Sequence, residues 1–393
     1  MNIVLSGPFG LGSLSDEIVL AGVLNPLLAA KHSVTVFTAD KGATTHTHGV
    51  EAIALPSPSS LTSSNAAWKV LDKAHFFGLC SAGVIGDKGK IPARVWLAQL
   101  EYGRQMKMAT GVIGAGAIPI EDKKERVRAQ RFLHHFADGV SVRDEASKIA
   151  LVEYGLNANR VSAIGDPTLA LFDEDAAKKA KPEGPVRVAF FFADGVPMRH
   201  TYAPEPTLAP AQLAKGLNTL LKALNAGNML ATIFHDASRQ NAKLSRSIAE
   251  GAAPGSTTLL STDATSGELR AGMSACSLAV TDTLHGLLFA AAHAVPAVFF
   301  NENPEAPALL EKLGLKDYVL PSSAGAFDAE RALNLVHAAL SKAAELRTAL
   351  IAAVTILARK EAQNARLIER LVPKRNRYPK DQAALEARAN EKR

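Results

Sequence analysis

Short apolar runs of strand length alternate with longer segments of helical character along most of this 393-residue chain. In the first half residues 3–6, 34–37, 51–55, 75–80, 109–113, 139–142 and 160–164 read as strands. In the second half 186–192, 230–234, 257–260, 278–281 and 297–300 do so. Helices are expected from Asp16 towards Lys31, with Pro26 kinking or ending the first of them, then up to Tyr154, over 210–224, 266–275 and 284–292. Residues 329–371 form a long helical region rich in Ala, Leu, Arg and Lys. Strand–helix alternation without long runs of strands predicts an α/β protein, with parallel sheets covered by helices on both faces.

The stretch from 278 to 300 is the most informative. A buried strand end is followed by Thr281, Asp282 and Thr283, all good N-cap types, then by an apolar helix stopped at Val295-Pro296, then by another strand. His285 therefore falls in the first turn of a buried helix at the carboxyl end of a strand. Open α/β sheets bind ligands there, and a helix N-terminus favours an anion.

Composition shifts to Ala, Lys, Glu, Pro and Gly over 173–185, which reads as a linker between blocks 1–172 and 186–325. The helical region closes the second block and a basic tail covers 372–393. The formal charge of +6 changes little in this picture. Residues 371–393 hold seven Lys/Arg against three Asp/Glu, which leaves +2 for everything before them. Such a tail can make peripheral contact with an anionic membrane, and no aromatic interleaving points to nucleic acid. No apolar run reaches the length of a membrane span, and the opening Met-Asn-Ile-Val-Leu-Ser-Gly reads as a first strand rather than a signal peptide. The two cysteines, Cys80 and Cys276, imply neither a disulfide framework nor a zinc knuckle, so a reducing cytoplasm is the expected setting.

Several turns carry candidate chemistry. Gly7–Gly12 is a glycine-rich strand-to-helix turn without the Gly-Lys-Ser/Thr of a Walker loop, and Asp16 and Glu17 follow it. These acids either serve a ligand or complement the helix dipole. His46 and His48 lack a third metal ligand at sensible spacing and read as solvated loop residues. Gly114 and Gly116 keep the end of the 109–113 strand small enough for backbone amides to approach a ligand. Arg143-Asp144 joins a strand end to a helix start. Arg143 is either a fork for a carboxylate or phosphate or half of an internal salt bridge, and Asp144 is a natural N-cap. Arg199 lies on a loop after the 186–192 strand.

Taken together, these motifs resemble those of the polysaccharide pyruvyl transferases. Leu284-His285-Gly286 with Val295-Pro296 matches the family's closing motif, except that Thr283 stands where an arginine is usual. Ser15-Asp16-Glu17 resembles a Gly-Asp-Glu, and residues 114–119 resemble a Gly-x-Gly-x-Gly-Pro turn. Arg143-Asp144, Ser147, Gly155 and Asp166-Pro167 repeat the family's spacing. The resemblance implies two Rossmann-like domains in a GT-B-type arrangement, with a cleft between them. It implies a cytoplasmic transferase that moves a pyruvyl group from phosphoenolpyruvate to a sugar-like acceptor, free or lipid-linked, and forms a ketal without cofactor or metal. His285 would be the general acid/base. Arg143, Thr283, Leu284, Gly286, Asp16, Gly114, Gly116 and Arg199 would contact substrate. A GT-B glycosyltransferase using a nucleotide sugar, or a non-catalytic sugar- or partner-binding protein, would suit the same cleft.

Overall fold

The computed structural model describes residues 1–55, 66–81, 85–86, 93–179, 184–192, 210–235, 255–300, 306–320 and 327–375. Arg199, with His200, Tyr202 and the Asn301–Pro304 turn, lies outside them.

The first half runs β1 (Asn2–Ser6), α1 (Leu14–Ala29), β2 (Ser33–Thr38), α2 (Lys41–His48), β3 (Glu51–Ala54), α3 (Ala66–Lys73), β4 (Phe76–Cys80), α4 (Ala93–Leu97), α5 (Leu100–Gln105), β5 (Ala109–Ala115), α6 (Lys123–Phe136), β6 (Gly139–Val142), α7 (Glu145–Glu153) and β7 (Val161–Ala163). A 3₁₀ turn (Pro167–Leu171) and α8 (Glu174–Lys179) lead into the second half. There β8 (Arg187–Phe191), α9 (Pro210–Ala226), β9 (Leu230–His235), β10 (Thr257–Ser261), α10 (Ser266–Ser274), β11 (Leu278–Thr281), α11 (Leu284–Ala292), β12 (Ala297–Phe300), α12 (Ala306–Lys312) and β13 (Val319–Leu320) follow in turn. The chain closes with α13 (Ala329–Ser341), α14 (Ala343–Glu361) and α15 (Gln363–Arg375), so the predicted long helical region is three helices.

The strands form two sheets, β3-β2-β1-β4-β5-β6-β7 and β10-β9-β8-β11-β12-β13. Every pairing is parallel. Both sheets reverse direction after their first strand, at β1/β4 and at β8/β11, and ligands of doubly wound sheets bind outside the strand ends at such a reversal. The turn before α1 occupies this place in the first sheet, and the turn before α11 occupies it in the second.

One apolar core joins the second sheet to Leu14 and Ile18 of α1, Leu169 and Leu171 of the 3₁₀ turn, and Leu346, Leu350 and Val354 of α14. Ile368, Leu371 and Val372 of α15 pack instead with Ile3, Leu5 and Val36 of the first sheet. The terminal helices thus leave one half and return to the other. Pro26 does not end α1, which continues to Ala29. The ring deletes one N–H near the C-terminal end, where few backbone bonds remain to be lost, while Leu24 and Leu27 on either side stay buried.

Candidate active site

The turn before α11 is built by hydroxyls. Thr283 is the N-cap, in extended conformation, and its Oγ1 accepts the Gly286 N–H at 2.9 Å. Thr281 Oγ1 accepts the Thr283 N–H at 3.2 Å. These two amides are therefore taken up inside the turn. Gly286 is required for a second reason, because a Cβ there would lie 2.2 Å from Thr281 Oγ1. Every residue of α11 is buried, as an apolar helix between layers must be. His285 is carried in with it, at 4% exposure.

Asp166 from the first half faces His285. It caps the 3₁₀ turn, its Oδ1 accepting the Thr168 N–H at 2.9 Å. Pro167 behind it is clamped by two glycines: a Cβ on Gly22 would meet its carbonyl oxygen at 2.0 Å, and one on Gly114 its ring at 2.4 Å. This clamp leaves Asp166 Oδ2 at 3.9 Å from His285 Nε2. That is longer than a hydrogen bond, and neither atom has a hydrogen-bond partner among the described residues although both are buried. Unsatisfied buried polar atoms are costly, which makes a facing pair of them a candidate for chemistry rather than for scaffolding. Burial lowers the His285 pKa to about 4; Asp166 opposes that shift and the Arg143 charge adds to it. The imidazole is thus neutral at physiological pH.

Arg143 directly follows β6, with its side chain 4% exposed. Its Nε donates to Asp144 Oδ2 at 3.0 Å, so the internal salt bridge exists. Asp144 also caps α7 through the Ser147 N–H at 2.7 Å. Burial works against that carboxylate, but Arg143 and Ser147 outweigh it and hold its pKa below the ordinary value. The guanidinium still acts on His285, so salt bridge and site contact are compatible roles for one residue.

Other candidates are placed differently. Gly114, at φ +60°, spends its N–H on Ser141 Oγ at 2.9 Å and serves the clamp on Pro167. Gly116 is buried just beyond β5. Leu284 is a core residue. Asp16 sits at the first sheet's reversal, where it accepts the Ser81 hydroxyl at 2.8 Å. His46 and His48 are not on a loop. They lie on α2, and His48 is buried against Glu17, Nε2 to Oε2 2.8 Å, with side-chain exposures of 2% and 5%. Asp40 caps that helix through the Ala43 N–H, which the sequence reading missed. Sequence reasoning also overlooked Asp166 as a site residue, although the Asp-Pro at a strand end signalled it. Glu361 and Asn364, near Asp166, carried no local signal.

Two parallel α/β sheets, each with a buried helix start at its reversal point, give the architecture of the GT-B class. The fold agrees with solved structures. Anabaena Alr3699/HepE in complex with UDP-glucose aligns with a TM-score of 0.60 at 12% identity, over 95% of this chain and 100% of that one. A glycosyltransferase from Rickettsia africae gives 0.56 at 11%, over 94% and 98%. UDP-GlcNAc 2-epimerase from Neisseria meningitidis bound to UDP-GlcNAc gives 0.52 at 12%, over 92% and 100%. No curated protein sequence matches the chain. Residues 81–304, over half of the chain, match the polysaccharide pyruvyl transferase family, and the protein belongs to it. It is a polysaccharide-modifying transferase. Among the described residues no helix is long and apolar enough to cross a membrane.

Proposed function

We propose that this transferase moves a pyruvyl group from phosphoenolpyruvate onto two hydroxyls of a sugar-like acceptor, free or lipid-linked, in the cytoplasm. The acceptor oxygens form two bonds to C2 of the donor and give up two protons: one turns its methylene carbon into a methyl group, and the other goes with the phosphate that leaves. This chemistry asks for proton transfer and anion binding, with no cofactor or metal. His285 moves the proton: neutral as it stands, it accepts one from an attacking hydroxyl and returns it at the donor. Asp166 steadies the imidazolium that forms, and Arg143 with the α11 N-terminus attracts the anionic donor. The observation that carries this reading is the buried, unsatisfied His285–Asp166 pair at 3.9 Å beside Arg143.

Thr283 favours a second reading, a glycosyltransferase using a nucleotide sugar. Its hydroxyl is engaged as a cap and supplies no charge for the carboxylate that phosphoenolpyruvate carries and a nucleotide sugar such as UDP-glucose lacks. Calorimetric titration with phosphoenolpyruvate and with UDP-glucose, followed by turnover assays with the donor that binds, tests both. Binding of phosphoenolpyruvate that weakens roughly tenfold or more with Arg143→Ala supports pyruvyl transfer. Binding of UDP-glucose alone replaces it.

A further inference from the structure

The corner where α14 leaves the second half and α15 enters the first is polar and buried. Glu361 is 2% exposed and Asn364 3%. The Asn364 amide donates to Gly165 O and to Glu361 Oε1, each at 3.2 Å, and its oxygen accepts the Ser141 hydroxyl at 2.6 Å. A Cβ on Gly165, where φ is +150°, would stand 3.2 Å from that of Glu361. The end of α14 therefore presses on the residue preceding Asp166.

No cation answers the Glu361 carboxyl at this corner among the described residues. Arg359, on the same helix, turns outward to Glu174 at 3.8 Å, and Arg143 is engaged by Asp144. Among the described residues the ionisable neighbour acting on Glu361 is Asp166, with His285 of α11 and Arg143, just after β6, beyond it. A carboxyl buried beside the residue preceding another carboxyl, and answered only by an amide, does not ionise cheaply. Burial first, and the Asp166 charge as well, push the Glu361 pKa up to about 8, against the pull of Asn364.

We propose that Glu361 is a positioning residue for the transfer reaction: packed on Gly165 and buried without a cation it stays neutral, and its ionisation adds a negative charge beside the Asp166–His285 pair, which His285 senses through Asp166. This inference rests on the catalytic role given to His285 above. It makes the crossing helices part of the site's charge balance and limits the pH range in which an anionic donor is accepted.

Histidine-labelled full-length protein, with the His285 signal assigned by its loss in His285→Asn, provides the test by NMR titration. In the wild type the His285 resonance should move in a second step centred near pH 8, apart from its own protonation. That step should vanish in Glu361→Gln, which can keep the bond from Asn364. If Glu361→Gln does not fold, Asp166→Asn serves instead, since it leaves Glu361 in place and should shrink the step. Phosphoenolpyruvate affinity should fall by roughly tenfold between pH 7 and 9 in the wild type and hold steady in Glu361→Gln, as one added buried negative charge requires. A wild-type His285 signal without the second step, or one unchanged in the Gln variant, overturns the proposal. Failure of phosphoenolpyruvate to bind at any pH removes the pyruvyl reading, and the titration still decides on Glu361.

Discussion

The starts of α1 and α11 are the same structural device used in two ways. Each follows a parallel strand at the reversal point of its sheet, each is capped by a hydroxyl, and each buries ionisable side chains. At α1 the carboxylates are engaged: Asp16 Oδ1 takes the Ser81 hydroxyl, Glu17 Oε1 takes the Gly10 N–H at 2.8 Å, and Glu17 Oε2 pairs with His48. At α11 the facing atoms of His285 and Asp166 find no hydrogen bond among the described residues. A satisfied cluster holds a fold together, whereas an unsatisfied one is kept for what it does to a substrate.

The largest effect expected from this contrast is on turnover. His285→Ala should fold normally and lose 10²–10⁴-fold in turnover, roughly 3–5 kcal/mol of barrier. Its stability should even gain at low pH. The His285 pKa falls from 6.5 to about 4 on folding, so the native state loses stability as pH drops through that interval. The Ala variant should therefore show a shallower acid limb in thermal melts. Turnover close to wild type would remove His285 from the mechanism.

Glu17→Ala should do the reverse. It strips a buried histidine and a backbone N–H of their partner, which costs about 3 kcal/mol of stability. Denaturant unfolding measures that loss. Once the variant is folded, donor affinity should be within twofold of wild type; a larger drop in affinity with stability intact would make α1 part of the binding site and break the comparison.

Much of this was legible in the sequence, and the limits have a physical cause. The apolar runs and cap residues around 278–300 placed His285 correctly because every force there is local: a hydroxyl cap, an all-apolar helix and a Pro stop. Arg143-Asp144 was legible for the same reason. His48 was misread because its burial depends on Glu17, 31 residues away, and nothing in Thr-His-Thr-His shows that. Asn364 and Ser141 are 223 residues apart, so the corner that presses on Asp166 exists only once both domains have formed.

Arg143 stands between the two regimes, since it is paired within its own turn and acts on His285 as well. Arg143→Ala should weaken phosphoenolpyruvate binding by about 1.5–3 kcal/mol, the worth of a charge-assisted contact. Freed from Arg143, Asp144 keeps its cap on α7 through Ser147, so the melting temperature should fall only slightly. Early unfolding with donor affinity preserved would assign Arg143 to the scaffold alone.

The smallest expected change, in Thr283→Arg, sharpens the comparison most, because it puts the family's usual residue at a position where this chain spends its side chain on structure. Arginine cannot reproduce the short hydroxyl cap, so the Gly286 N–H is left to solvent or ligand, at a cost of about 1 kcal/mol. In return the guanidinium brings a charge and several donors to the edge of a site that already has Arg143 and a helix N-terminus. If phosphoenolpyruvate is the donor, its affinity should rise by roughly tenfold while stability drops by that 1 kcal/mol. The two numbers come from one pair of experiments, a calorimetric titration and a denaturant melt. Stability lost with no gain in affinity would mean that the anion is already neutralised without residue 283, and that the threonine cap is simply how this chain holds α11 in place.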